Sequence, residues 1–276
     1  MVQKTLSVCM FLVLAICCAS AGDAPKTQTR LSAAEIVDRN VAARGGLQAW
    51  RAVHALSMRG KMDVGGNQRS TLPVPGRKGA TAEMPPRRPT EQVQLPFAMD
   101  LQRPRKSRVE VKFNGQTAVQ VFDGANGWKL RPFLNRRQVE PYTAEELKAT
   151  ALQADLDGPL VDYAAKGTKV ALEGTEKVGE TQAYKLNLTF KNGQTQHLWV
   201  DANTFLEVKI EGAPRRLDGK YHPVAVYYRD YKTIEGLVVP FVLETAVEGT
   251  SQLEKIQIDS VEVNPKLEDS LFAKLQ

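Results

Sequence analysis

Residues 181–201 read TQAYKLNLTFKNGQTQHLWVD. Tyr184, Leu186, Leu188 and Phe190 alternate with other residues at the period of two that marks a strand with one buried face. Asn192-Gly193 follows, a two-residue hairpin signal, and residues 194–201 carry the return strand. The same unit stands upstream. Val109, Val111 and Phe113 alternate with charged residues, Asn114-Gly115 makes the turn, and Val119 and Val121 lie on the way back.

Working outward, strands are predicted from about Leu56, over 93–101, 108–113, 169–178, 183–191, 194–201 and 205–211. A loop around 213–216 then precedes three longer ones at 224–234, 237–247 and 253–263. Residues 237–243 are apolar at nearly every position, as in a strand covered on both sides. Helix signals are few. Ser32 and Glu35 form a capping-box pattern that opens a helix over about 33–44, which Gly45-Gly46 stops. A short turn over 48–53 carries Trp50. Thr143 and Glu146 repeat the capping box, Gly158-Pro159 breaks that helical block, and a second short helix is predicted over 160–165. The expected class is mostly β (α+β): one curved antiparallel sheet with helices on one face.

The first 21 residues read as a secretory signal peptide. Lys4 gives the positive start, residues 6–19 are uncharged and mostly apolar, and Ala19-Ser20-Ala21 places small residues before the expected cut after Ala21. An uncleaved anchor needs a longer apolar run, roughly 20 residues. Cys17 or Cys18 as a lipidation site is a minor alternative, because Ile16 is large for the position before a modified cysteine. All three cysteines, Cys9, Cys17 and Cys18, lie in this leader. The remainder therefore has no disulfide, no thiol nucleophile and no cysteine-bound metal.

Catalytic signatures are scarce. His54, His197 and His222 are far apart, and none stands at metal-ligand spacing with another ligand. No P-loop, G-x-S-x-G or G-x-G-x-x-G is present. No enzyme, metal or cofactor is expected. The informative residues are apolar: Val111, Phe113, Val119, Val121, Trp128, Trp199, Phe205, Phe241 and Leu243 could line the concave face of the sheet. Each also fits plain core packing. Together they suggest a lipid-sized apolar cavity roofed by the helices of 143–165.

Several segments carry a family pattern. Ala43-Arg44-Gly45-Gly46 ends the first helix. Arg103-Pro104 precedes Arg108-Val109-Glu110. Asp123-Gly124 is followed by Trp128 and Pro132-Phe133. Asp157-Gly158-Pro159-Leu160 precedes Asp162-Tyr163. Asp230-Tyr231 leads to Gly236-Leu237 and Pro240, and Asn264, Asp269 and Phe272 close the chain. In this order they resemble the LolA/LolB lipoprotein-carrier superfamily, and more closely its branch of outer-membrane lipoprotein-sorting proteins.

The resemblance implies a half-open antiparallel β-barrel with a helical lid, one domain over 22–276. It implies a periplasmic carrier that takes acyl chains of lipoproteins or lipids toward the outer membrane, working with inner- and outer-membrane transport components. Arg103 matches an arginine that holds the lid closed, a task suited to its planar fork. Arg108, Phe133 and Leu160 join the cavity and lid candidates. The alternative is a sensor or interaction module of the same fold; a lipid hydrolase is a third class, opposed by the missing histidine triad.

The chain of 276 residues has 37 Lys+Arg and 31 Asp+Glu, a formal net charge of +6. Such a balance suggests nucleic acid, an anionic membrane or an acidic partner, and the leader speaks against nucleic acid. The charge is local. Residues 65–108 hold nine basic side chains and three acidic ones, so the rest of the mature chain is near neutral. Much of this segment, about 65–91, is a Pro- and Gly-rich insertion longer than expected in the carriers. The basic 65–108 segment is a candidate arm for docking on an anionic membrane or a partner, and a plain solvated loop fits it equally well.

Overall fold

The structure is a computed structural model; it describes residues 31–65, 92–132, 136–217, 219–250 and 253–275. The leader, most of the Pro-rich insertion and Phe133 lie outside the described residues.

Two helices come first, α1 (Ala33–Ala43) and α2 (Leu47–Arg51). The Ser32 side chain accepts from the Glu35 N–H, and the Glu35 carboxylate accepts from the Ser32 N–H, which is the predicted capping box. Six strands follow: β1 (Ala55–Gly65), β2 (Gln92–Gln102), β3 (Lys106–Phe113), β4 (Gln116–Phe122), β5 (Gly127–Arg131) and β6 (Arg136–Pro141). Helix α3 (Ala144–Gln153) starts on the second capping box, Thr143 with Glu146. Seven more strands complete the chain: β7 (Lys169–Val178), β8 (Thr181–Thr189), β9 (Thr195–Asp201), β10 (Glu207–Leu217), β11 (Lys220–Ile234), β12 (Leu237–Val247) and β13 (Glu254–Val263). A 3-10 turn, Asp269–Phe272, lies in the C-terminal segment.

All thirteen strands form one antiparallel sheet in the order β6-β5-β4-β3-β2-β1-β13-β12-β11-β10-β9-β8-β7. It is two sequential meanders joined where β1 pairs with β13. The sheet does not close into a barrel: β6 and β7 are its two edges.

Three local expectations are corrected. Residues 160–165 form consecutive turns rather than a second helix. Residues 213–216 are not a loop but part of β10, which runs on to Leu217 and pairs with β11 through an irregularity after Gly212. The β5–β6 hairpin, with no clean alternation, was missing from the predicted strands.

The register sorts side chains into two faces, because antiparallel partners share a face. One row runs Val111, Phe97 and Gly60 across β3, β2 and β1. The next runs Val109, Met99, Met58 and Val261. Another runs Leu95, Met62, Ile256, Leu243 and Tyr228. Leu186, Leu198, Ile210 and Val226 carry the same face to the far meander. This inner face also bears the helices, since its Lys129 pairs with Glu146 of α3 and its Glu207 pairs with Arg44 after α1. The register of β1 against β13 shifts between Arg59 and Gly60, so that Val261 and Ile258 both stay inside. Gly60 is required there: a Cβ would stand 2.0 Å from the Gln257 carbonyl oxygen.

On the outer face of β3–β5, the C-terminal segment lies across Val119, Val121 and Trp128. Phe272 is 1% exposed in that contact, with Leu267, Leu271 and Leu275 around it. Arg108 donates to the Leu271 carbonyl at 3.0 Å and to Glu110 at 2.7 Å, and Lys106 reaches Asp269 at 2.7 Å. Phe272→Ala is expected to cost about 3–5 kcal/mol, the usual loss for a buried phenyl ring. Urea unfolding measures it, and an unchanged midpoint would remove the C-terminal segment from the stabilising core.

Candidate functional site

The site is the inner face with the segment laid over it, α3 and residues 154–168. That segment is fixed at one end by buried charge. The Asp157 carboxylate, 2% exposed, accepts from Arg103 Nη2 at 2.7 Å and from Lys166 Nζ at 2.5 Å. Lys166 also reaches Asp155 at 2.9 Å and the Gly158 carbonyl at 2.7 Å. Arg44 Nη1 donates to the Asp157 carbonyl at 2.9 Å and to Glu207 at 3.2 Å, while its guanidinium lies 4.4 Å from the Trp50 ring. Arg51 grips Asp162 with two bonds, 2.8 and 2.6 Å. Two aspartates of the lid, Asp157 and Asp162, thus meet arginines from three places in the fold.

Arg103 does not hold the lid through lid carbonyls. Instead it donates to a lid carboxylate and takes its carbonyls from beneath, Val53 at 2.7 Å and Trp50 at 3.0 Å. It spans the α2–β1 junction and the lid at once.

The other end of the lid is held more lightly. Glu146 pairs with Lys129 of β5, and Tyr221 of β11 shares its hydroxyl with both Glu145 oxygens at 3.2 Å. The start of α3 therefore touches both meanders. No residue of α3 is fully buried. Burial, then the negative charge of Glu146, pushes the Tyr142 hydroxyl up to about 12, so it stays protonated beside Lys129 at neutral pH.

Under this cover the inner face is incompletely filled. Met58, Met62, Met99, Val109, Val111, Phe113, Leu243 and Ile256 are all only half-buried, though a sheet core would bury them. Two clefts of about 320 Å³ flank the lid. One lies between α1 and residues 160–165, against Val37, Val41, Leu47 and Leu160. The other is lined by Leu152, Pro159, Phe190 and the polar groups of Arg105, Lys166 and Lys191.

The cavity candidates divide accordingly. Val111, Phe113 and Leu243 share the helix-bearing face. Leu160 is fully buried in the lid. Phe205 packs beneath α1, its ring stacked on Tyr184 at 6.1 Å with Arg39 at 5.1 Å. Phe241 is buried, with the Lys232 ammonium 4.3 Å from its ring. Val119, Val121 and Trp128 point the other way, into the C-terminal segment, and Arg108 lies with them. Their alternation was legible but not its phase: β4 begins after a tight turn, and a strand read alone does not show which set faces in. Trp199 is also outside, buried not by a core but under Lys209 at 3.9 Å and Lys185 at 5.8 Å, its indole N–H bonded to Glu176. The half-buried methionines were missed. Met58, Met62 and Met99 stand at period two in β1 and β2 and could have been found by it.

Among the described residues, no group of three His, Cys, Asp or Glu could hold a metal ion, and no helix is long and apolar enough to cross a membrane.

Acid should release the fixed end of the lid. Burial raises the Asp157 pKa, but the Lys166 and Arg103 contacts outweigh it and leave the carboxyl below the ordinary aspartate value of 3.8. Asp162 is lowered too, chiefly by its bonds to Arg51. Folding then favours the ionised forms, so their contribution is present above pH 3.8 and lost as pH falls through the lowered values. Asp155 runs the opposite way, raised mainly by burial, and protonating it costs the fold nothing. Hydrogen exchange of residues 154–168 is expected to quicken below about pH 3.8 before that of β8 and β9; simultaneous loss would mean that the lid is not released separately. Asp157→Ala leaves Lys166 and Arg103 facing each other and should cost about 3 kcal/mol in denaturant unfolding.

No protein-family model and no curated protein matches the chain. Solved structures do. A LolA superfamily protein from Nitrosomonas europaea aligns over 88% of this chain and 98% of its own, with a TM-score of 0.54 and 14% identity. A putative outer membrane lipoprotein-sorting protein domain from Vibrio parahaemolyticus covers 87% and 95%, with a TM-score of 0.53 and 13% identity. A DUF1329 family protein from Desulfovibrio piger covers 87% and 97%, with a TM-score of 0.52 and 12% identity. The thirteen-stranded open sheet under its lid is a half-open β-barrel of the LolA type.

Proposed function

We propose that this protein is a periplasmic carrier of acyl chains, from a lipoprotein or a free lipid, acting without catalysis. One observation carries the reading: a band of half-buried methionine, valine and leucine side chains under a lid held by ion pairs. Methionine adapts to flexible apolar ligands. A lid held partly by exposed polar contacts can open at modest cost, and each buried CH₂ of a cargo returns about 0.8 kcal/mol. The printed description of the Vibrio structure, a lipoprotein-sorting domain, agrees with this use of the fold. The leader supports the compartment, 22–276 would act as one domain, and membrane transport components would be the partners.

The basic segment supports a membrane contact less than its charge suggests. In its described part, Arg103, Lys106 and Arg108 are paired with acids or carbonyls of the protein itself. Any docking arm would have to lie in the Pro-rich insertion.

Native mass spectrometry of full-length protein mixed with a diacylated lipopeptide should show a one-to-one complex, and absence of any lipid or lipopeptide complex would overturn the reading. Arg103→Leu should fold but lose the Trp50 and Val53 anchors along with Asp157. It is expected to raise protease sensitivity at residues 154–168 and to slow or uncouple transfer between vesicles. Transfer at the normal rate would remove Arg103 from the mechanism.

A further inference from the structure

The cleft at the fixed end of the lid differs in chemistry from the apolar face that it adjoins. Leu152, Pro159 and Phe190 give it an apolar wall. Phe190 continues the alternation of Leu186 and Leu188, so this wall runs onto the inner face. Its remaining lining is polar, Arg105, Lys166, Lys191, Thr168 and Asn192, with Asp155 as the one carboxylate.

These cations are not equally occupied. Lys166 is taken by Asp155, Asp157 and the Gly158 carbonyl, at 2.9, 2.5 and 2.7 Å. Among the described residues, Arg105 has only Asp155, at 3.8 Å, and 45% of its side chain is exposed. That distance is too long for a hydrogen bond, so the planar fork of Arg105 keeps its donors available. Among the described residues, Lys191 has no carboxylate partner. Its stem lies against Gly167, where an added Cβ would come within 3.3 Å of the Lys191 Cβ; the backbone there thus sets the path of the side chain. Thr168, 6% exposed, lines the same cleft. A cleft of about 320 Å³ with an apolar wall and two cations lacking a close partner fits an amphiphile with an anionic head.

We propose that Arg105 and Lys191 form a subsite for a phosphate-bearing headgroup, so that the carrier selects anionic phospholipid-like amphiphiles over neutral ones with the same chains. Arg105 would bind two phosphate oxygens through its fork and Lys191 a third as a point charge, the usual division between these side chains. Thr168 would donate its hydroxyl. The tail would leave the cleft past Phe190 toward the inner face, and this path alone rests on the carrier reading.

Titration calorimetry of full-length protein in a neutral detergent tests it with three probes: dihexanoyl phosphatidic acid, dihexanoylglycerol and inorganic phosphate. The phosphatidic acid is expected to bind roughly tenfold or more tightly than the diacylglycerol. Arg105→Gln with Lys191→Gln should abolish that preference and leave diacylglycerol binding unchanged. The charge-conserving pair Arg105→Lys with Lys191→Arg should retain most of it, which separates a binding role from a structural one. Equal affinities for the two lipids in the wild-type protein would overturn the headgroup subsite while leaving the carrier reading standing. Binding of neither lipid would overturn the carrier reading; phosphate captured alone, and lost in the Gln pair, would then identify a site for free phosphate rather than a headgroup. If the Gln pair kept the full preference, the assignment to these two residues would fail.

Discussion

The Asp157 carboxylate is the point at which otherwise separate parts of this chain are held together. The turn after β2 reaches it through Arg103, the end of the lid through Lys166, and its own carbonyl takes Arg44 from the end of α1. A buried carboxylate is costly unless its charge is matched and its lone pairs are filled, and here both conditions are met by residues distant in sequence. The lid's position therefore follows from electrostatics more than from apolar packing, and α3, which buries nothing completely, follows the segment anchored there. This division, one end fixed in buried charge and one end resting on Lys129 and Tyr221, gives the lid an axis.

The sheet supplies the reason that a lid is needed. Thirteen strands present one face rich in apolar residues, and among the described residues two helices and the lid leave part of it half-buried. The outer face of the near meander is closed by Phe272 and its neighbours. The outer face of the far meander is closed by charge: His197 lies between Glu173 and Glu211, and lysines cover Trp199. Among the described residues, the middle of the inner face stays half-covered. An apolar surface in that state either aggregates or meets a ligand.

Much of this architecture was legible in the sequence. Period-two alternation in 184–190 and 109–113, two Asn-Gly turns and two capping boxes locate strands and helices with little tertiary help. The order of the family-like segments indicated an open barrel with a lid, and Arg103 as the residue against it. Phase was not legible. Val119, Val121 and Trp128 look like cavity residues until the C-terminal segment is seen to cover them, because Phe272 is remote from all three in sequence. Trp199 misleads for a related reason: lysine stems bury an indole as well as a core does. The role of Asp157 had no local signal, since its partners come from positions 103 and 166 and no local pattern joins them.

The pairing of β1 with β13 sets how the chain comes together. Within each meander every strand pairs with its sequence neighbour, so those contacts are local and form with little loss of chain entropy. The seam is different: Leu56 and Val263 are partners 207 residues apart. Closing a loop of that size is slow to accomplish, and topology of this kind governs folding rate more than it governs stability. Topology therefore lets each meander form from local contacts before the seam joins them. That seam, with its bulge beside Gly60, is the one strand pairing of the described sheet that neither meander can make alone.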